Sequence, residues 1–452
     1  MKVNMESELN SRKNGAGKIW APKQIVEIAL VWGIVFGPLV TMTVRGQWVV
    51  ELLALLAIAA FIDGFMCLKR LIYQTWPFSL SFCILAIWIV LQTQFTPLGP
   101  AIFYEAKAAV ALSVTLIAFV IIPGVNRGGD RGRLLEWALT GAEFFIIAQL
   151  LVSFFFGIGE SIGYISGAVR AFGALGDGIA PILGFFVLKH ALGHRPVRCV
   201  LAAFGLAITG GKMALVVTVV GLLGLFLLRR DLWRPMLVGV FAIIIAQFML
   251  HLSFALELPP NRFVEKVAKQ NIPAQAQRLK LQQTPRKRIE WVLKDYVIAA
   301  RDRGLGIVAG IDILQRYPLF GVGYLRTSQH IPVEAPRGPF EVSEYLITPY
   351  SSWKKVVAIY NPSLRIAAEL GVIGLSFFWA VCAGMVNIFW KPLAALRRQN
   401  SAPECTLEIA AAVWGLSFIF VDQTTAWMSP GHIQLIWLTL CLGIVAAKNK
   451  HN

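Results

Sequence analysis

Long apolar runs dominate the sequence, and they constrain the fold more than any other feature. A helix needs about 20 apolar residues to cross a hydrocarbon layer of about 30 Å. With 57% hydrophobic and only 15% charged residues, a chain of 452 residues has too little polar surface for a soluble globular protein. We therefore expect an all-α polytopic membrane protein with about twelve transmembrane helices. The runs fall at 24–43, 47–66, 77–95, 105–124, 133–157, 178–193, 197–210, 213–229, 234–256, 362–390, 408–425 and 431–447.

Lysines and arginines alternate from loop to loop, which predicts the orientation. One set of short loops and both terminal tails carry most of these cations, as cytoplasmic segments do in membrane proteins. The opposite short loops carry only Arg45, Lys107, Arg170 and Lys212. We expect both termini in the cytoplasm and read the N-terminal tail as uncleaved. The net charge of +17 is then mainly a topology signal, and no nucleic-acid partner is expected.

One long polar stretch interrupts the apolar pattern and faces the outside in this topology. The predicted division is a tail over 1–23, nine spans over 24–256, a large outer loop over 257–361, three spans over 362–447 and a tail over 448–452. The outer loop holds sixteen lysines and arginines against nine acidic residues. That excess suits a phosphate or an acidic glycan, or a surface resting on anionic headgroups.

The outer loop also carries two helical patterns. Thr284-Pro285 resembles an N-cap followed by a first-turn proline. A second amphipathic segment has an apolar stripe and ends at Tyr317-Pro318. Both helices could lie on the membrane surface or pack together as a small domain, and the sequence leaves the two open. The stripe of the second segment is formed by Leu305, Val308, Ile311 and Leu314.

Four polar features at the ends of spans, or within them, are candidates for chemistry. Gly210-Gly211-Lys212 opens the eighth span, where free N–H groups and an ammonium could hold an anion. Asn361-Pro362 opens the tenth span as an N-cap and first-turn proline. Arg365 and Glu369 follow at helical spacing, either as a buried pair holding two helices together or in a direct role. Glu143 lies within the fifth span with no partner evident from the sequence.

The motifs that the sequence lacks narrow the class of reaction. No nucleotide-binding glycine loop, HExxH or serine-nucleophile elbow occurs, and the six cysteines show no metal or disulfide spacing. An enzyme acting outside the membrane needs a donor that is already activated. Lipid pyrophosphate is a good leaving group without a metal where cations stabilise its developing charge. No metal or cofactor is therefore expected.

Three segments of the chain resemble one known family. They are LAITGGKMAL (206–215), RGLGIVAGIDILQRYPLFGVG (303–323) and YNPSLRIAAELGVIG (360–374). In order and spacing they resemble the bacterial O-antigen ligase and O-antigen polymerase superfamily. The resemblance implies a metal-independent glycosyltransferase of the bacterial inner membrane that uses an undecaprenyl-pyrophosphate-linked glycan. Membrane lipids and a chain-length regulator are the other implied partners.

The resemblance also assigns roles to residues. Arg303, with Arg301 and Lys212, would bind the donor pyrophosphate, and Arg288 would help to guide it. Asn361 would order the mouth of the tenth span. Carried over by motif, Arg303 and Asn361 join the catalytic candidates together with a base that takes the acceptor's proton.

The sequence departs from the family pattern at two positions. Lys212 stands where an arginine is usual, which keeps the charge but loses the bidentate fork. Tyr360 stands where the family's histidine is usual, and a tyrosine is a poor base at neutral pH. His330, or a loop carboxylate such as Glu341 or Glu344, is the candidate substitute. We therefore expect a polymerase of an exported polysaccharide; the alternatives are a ligase acting on lipid A core, a flippase of lipid-linked glycan, and a non-catalytic relative.

Overall fold

The structure is a computed structural model, and its described part is entirely helical apart from turns and connecting segments. The helices are α1 (Phe78–Gln92), α2 (Leu139–Ala148), α3 (Gly176–Leu192), α4 (Pro196–Thr209), α5 (Lys212–Leu228), α6 (Trp233–Ala255), α7 (306–316), α8 (Pro362–Arg398) and α9 (Thr406–Val421). The described residues are 76, 78–92, 95–96, 137, 139–148, 150–151, 176–209, 212–255, 306–324, 326–327, 359, 361–398 and 406–421.

Eight of the apolar runs are confirmed as helices over these residues. α3, α4, α5 and α6 begin and end within two residues of the predicted bounds. α8 runs eight residues beyond its predicted end, and α9 is described as far as Val421, with the last four residues of its predicted run outside the described residues. The predicted spans at 24–43, 47–66, 105–124 and 431–447 lie outside the described residues, so twelve spans remain a prediction.

Short connections force consecutive helices to run antiparallel. Gly193, His194 and Arg195 link α3 to α4, and their N–H groups donate to carbonyls of the last turns of α3. A single 3-10 turn, Arg230–Leu232, joins α5 to α6. The end of α5 lies beside the end of α8, since Arg229 Nη1 donates to the Leu396 carbonyl at 3.4 Å. The C-terminal ends of α5 and α8 therefore lie at the same end of the helix bundle, as the predicted topology requires.

Two helices of the described part are long and apolar enough to cross a membrane, over Arg230–Leu250 and Pro362–Arg398. Core helices of soluble proteins pass the same test of length and composition. A second feature is also consistent with a membrane-spanning helix: one side of α6 is exposed and apolar. Phe241, Ile244, Phe248 and Leu252 are each 45–65% exposed. An exposed apolar face of this kind is typical of contact with lipid or with a partner protein.

The second amphipathic segment of the outer loop forms α7 and ends where the sequence predicts, just before Tyr317-Pro318. Its buried face differs from the predicted stripe. Its buried residues are Gly306, Ala309, Gly310 and Ile313. Ala309 and Ile313 pack in a small apolar cluster that includes Ile359 and Ala368. Ile311 is 44% exposed. The small side chains on the buried face allow close approach to α8, where Leu364 lies against Gly310.

Candidate functional site

The first turn of α8 is capped as the Asn-Pro pair predicts. Asn361 Oδ1 accepts a hydrogen bond from the Leu364 N–H at 2.9 Å, and the Asn361 carbonyl accepts from the Arg365 N–H at 2.9 Å. Pro362 occupies the first helical position, where the missing N–H costs no hydrogen bond. Asn361 is thus an N-cap residue, and it fixes where the helix begins.

α8 is two helical pieces joined at Gly371, although its sequence reads as one apolar run. Gly371 has φ 71° and ψ −175°, which interrupts the helical backbone. The break removes helical hydrogen-bond donors from the carbonyls just before it. The Ala368 carbonyl accepts from the Val322 N–H at 3.0 Å, and the Glu369 carbonyl from the Gly323 N–H at 2.8 Å. The segment that follows α7 therefore replaces the missing turn of α8.

Residues of α1 complete this arrangement. Trp88 Nε1 donates to the Leu370 carbonyl at 3.2 Å. Gln92 Nε2 donates to the carbonyls of both Phe320 and Glu369, at 2.7 and 3.0 Å. We call the meeting of these three segments the motif junction: Trp88 to Thr96 as described, 317–324 with 326–327, and 361–372.

Each of the two backbone segments that meet in the motif junction, the one after α7 and the one in α8, requires a glycine. Gly321 has φ 68°, and a Cβ there would overlap the backbone of Glu369. A Cβ on Gly371 would overlap the carbonyl of Leu319, and the next residue, Val372, donates its N–H to the Pro318 carbonyl at 2.8 Å. The two sequence segments PLFGVG and ELGVIG are thus complementary surfaces, each shaped by a glycine that lets the other approach.

A buried acid sits at the centre of the motif junction. Glu369 is completely buried, and its Oε1 accepts from Arg365 Nε at 2.8 Å and from Thr327 Oγ1 at 3.3 Å. Glu369 Oε2 has no hydrogen-bond partner among the described residues. Arg365 and Glu369 thus form the buried pair that was one of the two roles expected for them. Beyond α8, the acid contacts Thr327 in the segment after α7.

Arg326, Thr96 and Tyr324 also belong to the motif junction, and the sequence did not indicate this. Arg326 is fully buried, and its Nη1 donates to Thr96 Oγ1 at 2.9 Å. Tyr324 is also buried, and burial, followed by the nearby Glu369 carboxylate, raises the pKa of its hydroxyl. Tyr324 therefore stays protonated at neutral pH and is excluded as a general base. Gln92 lies close to the end of an apolar run, and that position was the available signal for it; Arg326 lies within the outer loop, where its position carries no such signal.

Aromatic rings pack the turn of the motif junction against α1. Phe320 stacks on Trp88 and on Phe95, with ring centroids 5.8 and 5.3 Å apart. Stacked pairs at this spacing add to the apolar area that they bury. The turn after α7 is therefore fixed by side chains as well as by backbone hydrogen bonds.

Most of the predicted site residues cannot be located relative to the motif junction. His330, Arg288, Arg301 and Arg303 lie outside the described residues, as do Glu341, Glu344 and Tyr360. Lys212 is the first residue of α5, as expected, and its side chain is not among those described. Asn361 is the predicted site residue whose side-chain contacts are described. Its place in the motif junction is a finding; the roles of the others stay predictions.

A second acid, Glu143, has a partner that the sequence did not indicate. His190 Nε2 on α3 lies 2.6 Å from Glu143 Oε1 on α2, and both side chains are buried. Lys189 is buried beside them, with its Nζ 6.0 Å from the ring centre of Phe186. Within the described ranges, no three His, Cys, Asp or Glu side chains are grouped to hold a metal ion.

The chain matches no protein-family model and no curated protein. Its likeness to the O-antigen ligase and polymerase superfamily therefore depends on the motif segments alone. The structure adds that two of those segments, over 317–323 and 360–374, meet in the motif junction wherever they are described.

Proposed function

We propose that this chain is a membrane glycosyltransferase that polymerises oligosaccharide repeat units carried on undecaprenyl pyrophosphate, for an exported polysaccharide. The observation that carries the proposal is the motif junction. Two of the three segments that resemble the family are separated by residues 324–359 in the sequence, yet their glycines interlock and surround a buried charge pair. A shared architecture of this kind is a physical reason for the two motifs to occur together.

The chemistry of the proposed reaction depends on cationic side chains rather than on a bound metal ion. The acceptor hydroxyl attacks the anomeric carbon of the donor sugar, and the bond from that carbon to the pyrophosphate oxygen breaks. Negative charge develops on the leaving phosphate, so Arg303, Arg301, Arg288 and Lys212 are the candidate groups that stabilise it. His330, Glu341 or Glu344 would accept the proton of the hydroxyl.

The test is reconstitution of the purified chain with short repeat units linked to lipid pyrophosphate, with products separated by size. The proposal predicts a ladder that remains attached to the lipid. Lys212→Ala and Arg303→Ala should each reduce synthesis roughly a hundredfold or more, as loss of a charge-stabilising donor does in other enzymes. Arg397→Ala is the control, because this exposed arginine lies at the opposite end of α8 from Asn361.

Other products would identify the alternatives. Donor consumption that requires lipid A core, without a ladder, would indicate a ligase. Movement of intact lipid-linked glycan across a vesicle membrane, with no new glycosidic bond, would indicate a flippase. Wild-type synthesis by both the Lys212 and the Arg303 variants would contradict the proposed roles of these cations.

A further inference from the structure

Arg365 is held by only one of its three nitrogens. Its Nε donates to Glu369 at 2.8 Å, and neither Nη1 nor Nη2 has a hydrogen-bond partner among the described residues. The side chain of Arg365 is 19% exposed, whereas that of Glu369 is 0% exposed. The guanidinium therefore reaches the edge of the motif junction with its terminal pair of N–H groups available, while the acid remains behind it.

Two other arginines of the described part, Arg229 and Arg326, are used differently. Arg229 contacts the Asp231 carboxylate through Nε and Nη2, and its Nη1 donates to the Leu396 carbonyl. Arg326 is buried and donates to Thr96. Both of these side chains serve to join parts of the fold. Glu369 fixes the orientation of Arg365 through Nε, which leaves Nη1 and Nη2 for a ligand. A preorganised binding residue needs this arrangement.

The position of Arg365 favours an anion. It lies one turn into α8, close to the positive end of that helix, and the Asn361 cap holds the same turn in place. Two parallel N–H donors match two oxygens of one phosphate or carboxylate. A lysine would supply charge here but not this geometry.

We propose that Arg365 binds a phosphate of the lipid-pyrophosphate donor through Nη1 and Nη2, with Glu369 as the positioning residue that holds Nε. The inference deepens the proposed function and rests on it. It differs from the assignment by family resemblance, which gave this role to Arg303, Arg301, Arg288 and Lys212. Because Glu369 orients the guanidinium before the donor arrives, binding loses little of the side chain's freedom.

The same fork would also match the carboxylate of an acidic sugar, so the experiment uses two probes. Farnesyl pyrophosphate, which has no sugar, and a glucuronate-containing oligosaccharide, which has no lipid, are each titrated against the full chain in detergent. Binding is followed by a change in thermal melting and by calorimetry. The proposal predicts that wild type binds the pyrophosphate and that raising the salt concentration weakens the binding.

Two variants isolate the guanidinium from the stability of the fold. Arg365→Gln alone would leave the buried Glu369 without its cation, so it is combined with Glu369→Gln. The matched control is Glu369→Gln alone, which also lacks the acid but keeps the arginine fork. We expect the double variant to bind farnesyl pyrophosphate roughly tenfold to hundredfold more weakly than the control, the ratio typical of hydrogen bonds to a charged group.

Three results would overturn the inference. The double variant, shown to be folded by its melting curve, could bind the pyrophosphate as tightly as the control. The variants could lose affinity for the glucuronate probe alone. Either outcome removes Arg365 from the pyrophosphate site and leaves the proposed function standing. Failure of wild type to bind farnesyl pyrophosphate and to extend a lipid-linked repeat unit would instead remove both proposals together.

Discussion

The part of the chain that the structure describes contains two buried acid–base pairs in apolar surroundings, and they differ in how exposed the basic side chain is. In the pair between Glu143 and His190 the side chains are 4% and 1% exposed. In the pair between Glu369 and Arg365, the acid is 0% exposed and the cation 19%. We call the first the closed pair, because it is enclosed between α2 and α3, and the second the open pair, because it presents donors at the edge of the motif junction.

The difference teaches that burial of a charge in an apolar segment does not by itself indicate function. An acid within a span is a functional candidate by default, and from the sequence Glu143 fitted that description well. Its contact with His190 is equally well explained as a link between two helices. Glu369 is more deeply buried than Glu143, and its importance lies in the orientation that it gives to Arg365.

The largest effect is expected at the backbone contact on which the open pair depends. Gly371→Ala places a Cβ against the Leu319 carbonyl, at a backbone conformation that alanine rarely adopts. The segment after α7 has to separate from α8, which breaks its hydrogen bonds to Val372 and Glu369. We expect a loss of roughly 4–5 kcal/mol or more of stability, measured by thermal melting and by the monodisperse fraction in detergent.

Gly224→Ala is the matched control for Gly371→Ala. Gly224 lies within α5, and apart from its chain neighbours and the adjacent backbone of its own helix, no heavy atom lies within 4 Å of where its Cβ would be. Alanine favours the helix more than glycine does, so we expect a change within about 1 kcal/mol, in the stabilising direction. If the two variants melt alike, the motif junction does not support the fold and the comparison between the two pairs loses its basis.

The closed pair should respond asymmetrically to substitution. His190→Leu leaves the Glu143 carboxylate buried without its partner, and breaking a buried pair in this way costs roughly 3–5 kcal/mol. Glu143→Gln leaves an amide that can still hydrogen-bond to the imidazole, which should cost only about 1 kcal/mol. Melting curves of the two variants in the same detergent would measure the difference.

Activity tests whether the closed pair is structural. Polymer synthesis per folded molecule should be unchanged in Glu143→Gln, because the amide keeps the helices joined. A folded Glu143→Gln protein without synthesis would make the closed pair part of the reaction. The distinction between the two pairs would then be wrong.

The sequence predicts local features of this protein well. Apolar length predicts α3 to α6, Asn361-Pro362 predicts the cap of α8, and the spacing of Arg365 and Glu369 predicts that they can meet on one helix. Each of these features depends on residues no more than a few positions apart, or on one continuous run. Local pattern is sufficient in such cases.

The sequence could not predict the contacts that make the site. The break at Gly371 lies inside an apolar run, and it is stabilised by distant groups that donate to the carbonyls it exposes: the N–H groups of Val322 and Gly323 and the side chains of Trp88 and Gln92. The contact between Glu143 and His190 joins residues 47 positions apart through the packing of α2 on α3. Such contacts are set by which helices become neighbours, and a pattern within one helix carries no information about its neighbour.

The smallest effect is expected at Asn361, and it sharpens the comparison through charge. Asn361→Ala removes the oxygen that caps Leu364 and should cost about 1 kcal/mol of stability. Asn361→Ser keeps a neutral capping oxygen and should melt close to wild type.

Asn361→Asp also keeps the cap, but it places a carboxylate one turn from Arg365. If the fork of Arg365 receives the donor phosphate, the Asp variant should bind farnesyl pyrophosphate several-fold more weakly than the Ser variant despite equal stability, because like charges repel across a short distance. Equal binding by the two variants would mean that the phosphate lies elsewhere, and that the open pair is open for another ligand.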